Sequence, residues 1–143
     1  MRYILKTGTH QVGDNIEICI PLNPITKKNS QRIRYKYNLD GKKVPFISPS
    51  EAFENFQEDC GYFLKPLDID YPVNVDAKYF MEKRYKVDLS NLNSSIHDIL
   101  VHYDVIKDDS AKYIVSTDGS RVYHDKENPR VEIIISREEK TFI

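Results

Sequence analysis

The sequence predicts a single α+β domain, in which a mixed β-sheet carries two main helices on one face. Two segments place apolar residues at helical spacing, and the segments around them alternate apolar and polar residues as strands do. The order is strand, hairpin, helix, strand, helix and three short strands, which indicates the α+β class. A length of 143 residues is typical of one domain, so residues 1–143 are predicted to form one unit.

The N-terminal third is predicted to contain a strand followed by a hairpin. Residues 15–22 alternate apolar and polar side chains, and the Asn-Pro pair that follows breaks the strand. Residues 32–37 and 43–47 are predicted to pair as a hairpin whose turn is the Leu-Asp-Gly sequence at 39–41.

The first helix is predicted at about residues 50–64. Ser48 is its predicted N-cap, with Pro49 at the first helical position and Glu51 at the third. Ser and Glu at this spacing can satisfy backbone N–H groups that have no partner inside the helix. The side that faces the core would carry Phe53, Phe56, Cys60 and Phe63.

The second half is predicted to alternate strand and helix before it ends in strands. Residues 72–81 have apolar side chains at every second position, which predicts a strand with one buried face. An amphipathic helix over 88–103 follows. Three short strands are predicted at 113–115, 122–124 and 130–136, the first two joined by the turn at 117–120.

Composition excludes several classes of protein. No apolar run has membrane-spanning length, and the N-terminus lacks a long apolar signal core, so a cytoplasmic location without membrane association is expected. Cys19 and Cys60 lack the spacing of a zinc site and are expected to be reduced. The glycine-rich phosphate-binding motifs and the GxSxG motif are absent, so no nucleotide cofactor site is predicted.

The helix predicted over 88–103 carries a polar stripe beside its apolar face, formed by Asp88, Asn91, Ser95, Asp98 and His102. Asp88 has two possible roles, because a carboxylate at a helix start can cap backbone N–H groups or hold a metal ion. Asp88 and Asp98 are ten residues apart, about 15 Å along a helix axis, so they cannot share one ion. The candidates to join Asp88 are Asp108 and Asp109.

A basic segment precedes the first predicted helix. Residues 27–43 contain seven Lys or Arg residues and a single acidic residue, Asp40, with Tyr35 and Tyr37 interleaved. Such a segment can contact phosphates and stack on exposed bases. The alternative is a solvated hairpin with surface lysines, which is the commoner meaning of a charge run.

These features together resemble a known family. The features are the proline-ended first strand, the basic loop, the helix after Ser-Pro, the patch Lys83, Arg84 and Lys86, the acidic helix start and the Val-Ile-Lys-Asp-Asp-Ser sequence at 105–110. They are similar to those of the RusA family of Holliday junction resolvases of phages and prophages. The resemblance covers roughly residues 15–137. It implies a homodimer that nicks four-way DNA junctions in recombination and repair, with Mg²⁺ or alternatively Mn²⁺.

The resemblance also implies which residues form the site. Asp88 and Asp109 would hold the ion, with Asp108 supporting them, and Asn91 would position the site. The residues that would contact DNA are Lys27, Lys28, Arg32, Arg34, Lys83, Arg84 and Lys86.

Two positions depart from the family pattern, which reads Asp-x-Asp-Asn at the helix start with a Lys three residues after the Asn. Ser90 stands where the second Asp would be, and Ser94 where the Lys would be. The loss of a carboxylate and of a cation leaves two hypotheses, a divergent active nuclease and a junction-binding protein without catalysis. A third hypothesis is a small interaction domain whose acidic cluster is solvated.

Overall fold

A computed structural model describes residues 4–27, 32–48, 50–84 and 86–139. It confirms the α+β prediction of a mixed sheet with two helices. The helices are α1 (Glu51–Cys60) and α2 (Leu89–His102). The strands are β1 (Gly8–Val12), β2 (Asn15–Ile20), β3 (Arg32–Tyr37), β4 (Lys43–Ser48), β5 (Val73–Met81), β6 (Ile114–Ser116), β7 (Arg121–His124) and β8 (Arg130–Arg137). No helix in these ranges is long and apolar enough to cross a membrane.

The main sheet has the order β1-β2-β8-β5-β6, and β7 also pairs with β5. Neighbours run antiparallel except at β5, which pairs parallel with β6 and β7 because α2 carries the chain back to the same end of the sheet. The predicted turn at 117–120 exists, but it does not fold β7 onto β6. Both short strands follow the same edge of β5, and the Asn74 side chain holds the turn between them through Asp118.

The core lies between the sheet and the helices. One face of the central strands β5 and β8 is buried as the alternation predicts, but part of the other face is buried too, at Asn74, Phe80 and Glu132. Helix α2 contributes Leu92, Ile96, Ile99 and Leu100 to the core. The hydroxyl of fully buried Tyr79 on β5 donates to the Asn93 side chain at 2.7 Å. This bond fixes α2 against β5 at the second turn of the helix.

Three local predictions need correction. β1 was not predicted, because Val12 is the one large apolar residue in its five positions. The N-cap of α1 is Ser50, whose side chain accepts from the Phe53 N–H at 3.1 Å, whereas Ser48 belongs to β4 and Pro49 lies outside the described residues. The helix predicted to reach about residue 64 ends at Cys60, and a 3₁₀ turn, Gly61–Phe63, follows it.

The predicted hairpin is confirmed as a separate two-stranded sheet of β3 and β4. The Asn38 side chain accepts backbone N–H groups of Asp40 and Lys42, and Gly41 takes a φ of 75°. A positive φ favours glycine, so the turn chemistry agrees with the sequence.

Candidate active site

The carboxylate of Asp88, at the start of α2, does not cap the helix. Asp88 occupies the N-cap position with extended backbone angles, yet its side chain makes no capping hydrogen bond. The exposed carboxylate instead accepts a hydrogen bond from Asn91 at 3.4 Å, a long one. The capping alternative that the sequence allowed for Asp88 is therefore not observed.

The segment after α2 returns Asp109 to the side of the helix. Asp104 takes a φ of 59° and the Val105 N–H donates to the Leu100 carbonyl at 2.9 Å, which reverses the chain. Val105 and Ile106 are completely buried, and they anchor the segment in the core. Asp108 and Asp109, which follow them, are exposed.

Asp109 lies against Asp98, in the third turn of α2, close enough for the two carboxyl groups to share a hydrogen bond when one of them is protonated. Partial burial raises the pKa of Asp98, Lys27 opposes this, and the charge and hydrogen bond of Asp109 raise it further. The Lys27 ammonium is 3.9 Å from the Asp98 carboxylate. Two carboxyl groups are therefore held together at a partly shielded position beside one cation.

The carboxyl pair opens into a cavity of about 340 Å³ between the helices. Phe53 and Gln57 of α1 form one wall, and Val101 and His102 of α2 form the other. The loop after β2 completes the site, because the Lys27 N–H donates to Ser95 on α2 at 2.8 Å. The same loop is attached to the end of β5, where Asn23 accepts the Glu82 N–H at 2.9 Å.

His97 lies near Asp109, and the sequence assigned it no role. Its ring is largely buried, and its Nε2 atom has no hydrogen-bond partner among the described residues. Burial lowers the pKa of His97, and the nearby Asp109 carboxylate partly opposes the shift. The ring is therefore neutral at physiological pH and adds no positive charge beside the carboxyl pair.

The predicted acidic residues do not all meet. Asp109 is in contact with Asp98, whereas Asp88 lies ten residues before Asp98, about 15 Å along the helix axis. Within the described ranges, no three His, Cys, Asp or Glu side chains converge as a metal site would require. Sequence reasoning missed Asp98 as the partner of Asp109, and the shared polar stripe with Asp88 and Asn91 was the available signal.

The predicted DNA-binding residues fall in two places. Lys27 lines the cavity, and Arg34 on the hairpin pairs with Glu54 of α1 at 3.3 Å. Lys28 and the Arg32 side chain lie outside the described residues. The exposed patch Lys83, Arg84 and Lys86 follows β5, and the Arg84 guanidinium is 3.5 Å from the His124 ring.

Arg130 has a structural role. Its side chain is 3 % exposed and bonds to Asp125 at 2.9 Å. Its guanidinium also lies 3.7 Å from the centre of the Phe80 ring. Arg121 is exposed, and Ser90 and Ser94 are exposed on the first turns of α2.

The cavity thus combines two carboxyl groups with the ammonium of Lys27. A comparison with protein families matches endodeoxyribonuclease RusA over residues 63–136, slightly more than half of the chain. The chain belongs to the RusA family of endodeoxyribonucleases. A search of curated proteins finds no match. The matched range contains α2 and both acidic clusters but excludes the hairpin, which the resemblance over 15–137 had included.

The chemistry of the donors fits a hydrated divalent ion. Mg²⁺ is commonly bound by one or two carboxylates, with waters and substrate oxygens completing its shell. The Asp98–Asp109 pair supplies two carboxyl groups at an open cavity, and the raised pKa of Asp98 marks a position that a cation would stabilise. A site with three protein carboxylates is not formed by the described residues.

Proposed function

We propose that the chain is a metal-dependent endonuclease that resolves four-way DNA junctions in recombination and repair. Membership of the RusA family supports nuclease activity on DNA. The observation that carries the proposal is the Asp98–Asp109 pair, because it gathers negative charge at a cavity inside the matched part of the chain.

The ion would be Mg²⁺, with Mn²⁺ as the alternative. Asp109 would be one ligand, as the resemblance implies, and Asp98 would be a second, because the two carboxyl groups lie together. The resemblance further assigns Asp88, Asp108 and Asn91 to the site, and these assignments remain proposals. When bound, such an ion polarises the phosphate and lowers the pKa of the attacking water.

The chain's own cations would orient the DNA. Lys27 at the cavity can move from Asp98 to a substrate phosphate, since both groups are about half exposed and such an ion pair is weak. The patch at Lys83, Arg84 and Lys86 would hold backbone phosphates next to the start of α2. These contacts position the backbone and carry no sequence information by themselves.

The alternative proposal is a DNA junction-binding protein without catalysis. Ser90 and Ser94 favour it, because they supply neither the carboxylate nor the cation of the family pattern. Their exposure on α2 leaves both positions open to the substrate. This alternative retains DNA binding and predicts no metal-dependent nicking.

The chain is further proposed to act as a homodimer. A four-way junction has two-fold symmetry, and a C₂ dimer presents two equal sites to it. Light scattering at micromolar concentration, with and without junction DNA, should give the mass of a dimer. A strict monomer under both conditions would rule out paired nicking by one complex.

A nicking assay separates the two proposals. A labelled four-way junction and a duplex of equal length are incubated with the protein and either Mg²⁺, Mn²⁺ or a chelator. The nuclease proposal requires nicks in the junction that depend on the ion and disappear in the Asp109→Asn variant. Junction binding without nicking in either ion would establish the alternative, and absence of both would support the interaction-domain hypothesis.

A further inference from the structure

The β3–β4 hairpin exposes two tyrosines and an isoleucine on one face. Side chains alternate between the two faces of a hairpin, so Ile33, Tyr35 and Tyr37 share one face. They are 65 %, 56 % and 75 % exposed. In the register of the hairpin, Pro45 lies opposite Tyr35 and Lys43 lies opposite Tyr37.

The opposite face is directed toward the body of the protein. Arg34 lies on it and pairs with Glu54 of α1 at 3.3 Å, which ties the hairpin to the helix. Val44 and Phe46 on that face are less exposed than the tyrosines. The first face consists of Ile33, Tyr35, Tyr37 and Pro45 and is called the aromatic face. It therefore points away from α1.

Charge decides which occupant suits the aromatic face. The hairpin sequence, 32–48, contains five Lys or Arg residues and one acidic residue, Asp40. The Lys43 ammonium lies 4.4 Å from the centre of the Tyr35 ring, so positive charge and an exposed ring share one patch. Two copies of such a hairpin would repel each other, whereas a polyanion would be attracted.

Covalent geometry places the hairpin within reach of the carboxyl pair. Five chain steps separate Lys27, which lines the cavity, from Arg32 at the start of β3. At no more than about 3.6 Å per residue, these two residues are less than about 18 Å apart. That distance is smaller than the diameter of a duplex, so DNA bound at the cavity can reach the start of the hairpin, and Tyr35 follows three residues further along β3.

We propose that the aromatic face is a stacking platform for bases exposed at the branch point of junction DNA, with Lys43 on a neighbouring phosphate. This inference rests on the proposed function. Aromatic side chains stack on unpaired bases of any sequence, and they gain nothing from the closed stack of a duplex. The platform would make binding selective for branched DNA over duplex, a property that the phosphate contacts alone cannot supply.

The test compares Tyr35→Ala/Tyr37→Ala with two matched variants of the full chain. Tyr35→Phe/Tyr37→Phe keeps the rings, and Tyr62→Ala removes an equally exposed tyrosine from the 3₁₀ turn after α1, where it is 82 % exposed. The probes are a four-way junction with 2-aminopurine at the branch point and a duplex of equal length. Affinity, its salt dependence and 2-aminopurine fluorescence are measured at fixed ionic strength.

The double alanine variant should bind the junction about tenfold more weakly or worse, lose the fluorescence change and keep its duplex affinity and salt slope. The phenylalanine variant and Tyr62→Ala should behave as wild type. If the alanine variant equals wild type while wild type binds the junction, the platform is refuted and the proposed function stands. If wild type binds no junction, both fail. A dimer that becomes monomeric in the alanine variant would assign the face to a second copy instead.

Discussion

The two ends of α2 hold their carboxylates in opposite surroundings. Asp88 at the start is exposed, caps no backbone group and touches Asn91. Asp98 in the third turn is half-buried, contacts Asp109 and has a raised pKa. The comparison shows that a shared polar stripe gives two residues the same face but not the same chemistry, because partners from other segments decide which carboxylate belongs to a site.

The largest effect on nicking is expected at Asp109, where the segment after α2 contacts the helix. Asp109→Asn should reduce junction nicking by about a hundredfold or more, because an electrostatic stabiliser of the transition state is lost. Junction affinity should be unchanged or higher, since one negative charge near the phosphates is removed. Nicking rates and junction affinity are measured on the same preparation.

Asp108→Asn is the matched control for this change, because it removes the neighbouring exposed carboxylate. It should cost less than Asp109→Asn, since Asp108 is proposed only to support the site. If Asp109→Asn melts as cooperatively as wild type and still cleaves fully, Asp109 is not a metal ligand. The residues around Asp88 at the start of α2 would then be the candidates for the site.

A second prediction concerns the Asp88 end, where the two departures from the family pattern lie. Ser90→Asp with Ser94→Lys should raise metal-dependent nicking, by up to about a hundredfold if both groups act in the transition state. The two positions are one helical turn apart and exposed, so the new charges can pair without disturbing the core. Nicking is measured against wild type in Mg²⁺ and in Mn²⁺.

Each single variant is the control for the pair, because a lone carboxylate adds repulsion without the cation. If wild type nicks efficiently and the double variant is no faster, the Asp98–Asp109 pair is sufficient and the start of α2 is not part of the catalytic site. If neither protein nicks and both bind junctions, the non-catalytic alternative holds.

The same comparison explains how far the sequence could predict the structure. The bounds of α2 were predicted closely: the helix predicted over 88–103 is observed as Leu89–His102. This was possible because the apolar spacing that defines an amphipathic helix lies within the segment itself. The pairing of β6 and β7 with β5 was missed, since strand partners are chosen by distant segments. The contact of Asp109 with Asp98 depends on the reversal of chain direction at Asp104, and no sequence motif predicts that reversal.

Acidic neighbours at the Asp98 end should also affect stability. The pKa of Asp98 is raised, so its ionisation opposes folding: its contribution is most favourable at low pH and is lost as the pH rises through the raised pKa. Without divalent ions, Asp98→Asn should therefore melt at a slightly higher temperature than wild type near neutral pH. The gain should be below about 1 kcal/mol, because the group is half exposed and the Lys27 pair is lost.

The measurement is a thermal melt at several pH values in a chelator, then in Mg²⁺. The advantage of Asp98→Asn should shrink as the pH falls, since wild-type Asp98 is then protonated, and it should reverse in Mg²⁺ if the pair holds the ion. A constant difference across pH would show that Asp98 does not ionise in this range or that the substitution acts through packing.

The smallest effect is expected for the stability of Asp88→Ala. Loss of a capping side chain to Ala usually costs about 1 kcal/mol. Asp88 makes no capping bond, and its only side-chain hydrogen bond within the described residues is the long one from Asn91, so the melting temperature should stay within error of wild type. Ser50→Ala is the matched control, because that side chain does cap α1 and its loss should lower the melt measurably. A similar loss in both variants would mean that Asp88 caps α2 in solution, and its free carboxylate would no longer distinguish the two ends of the helix.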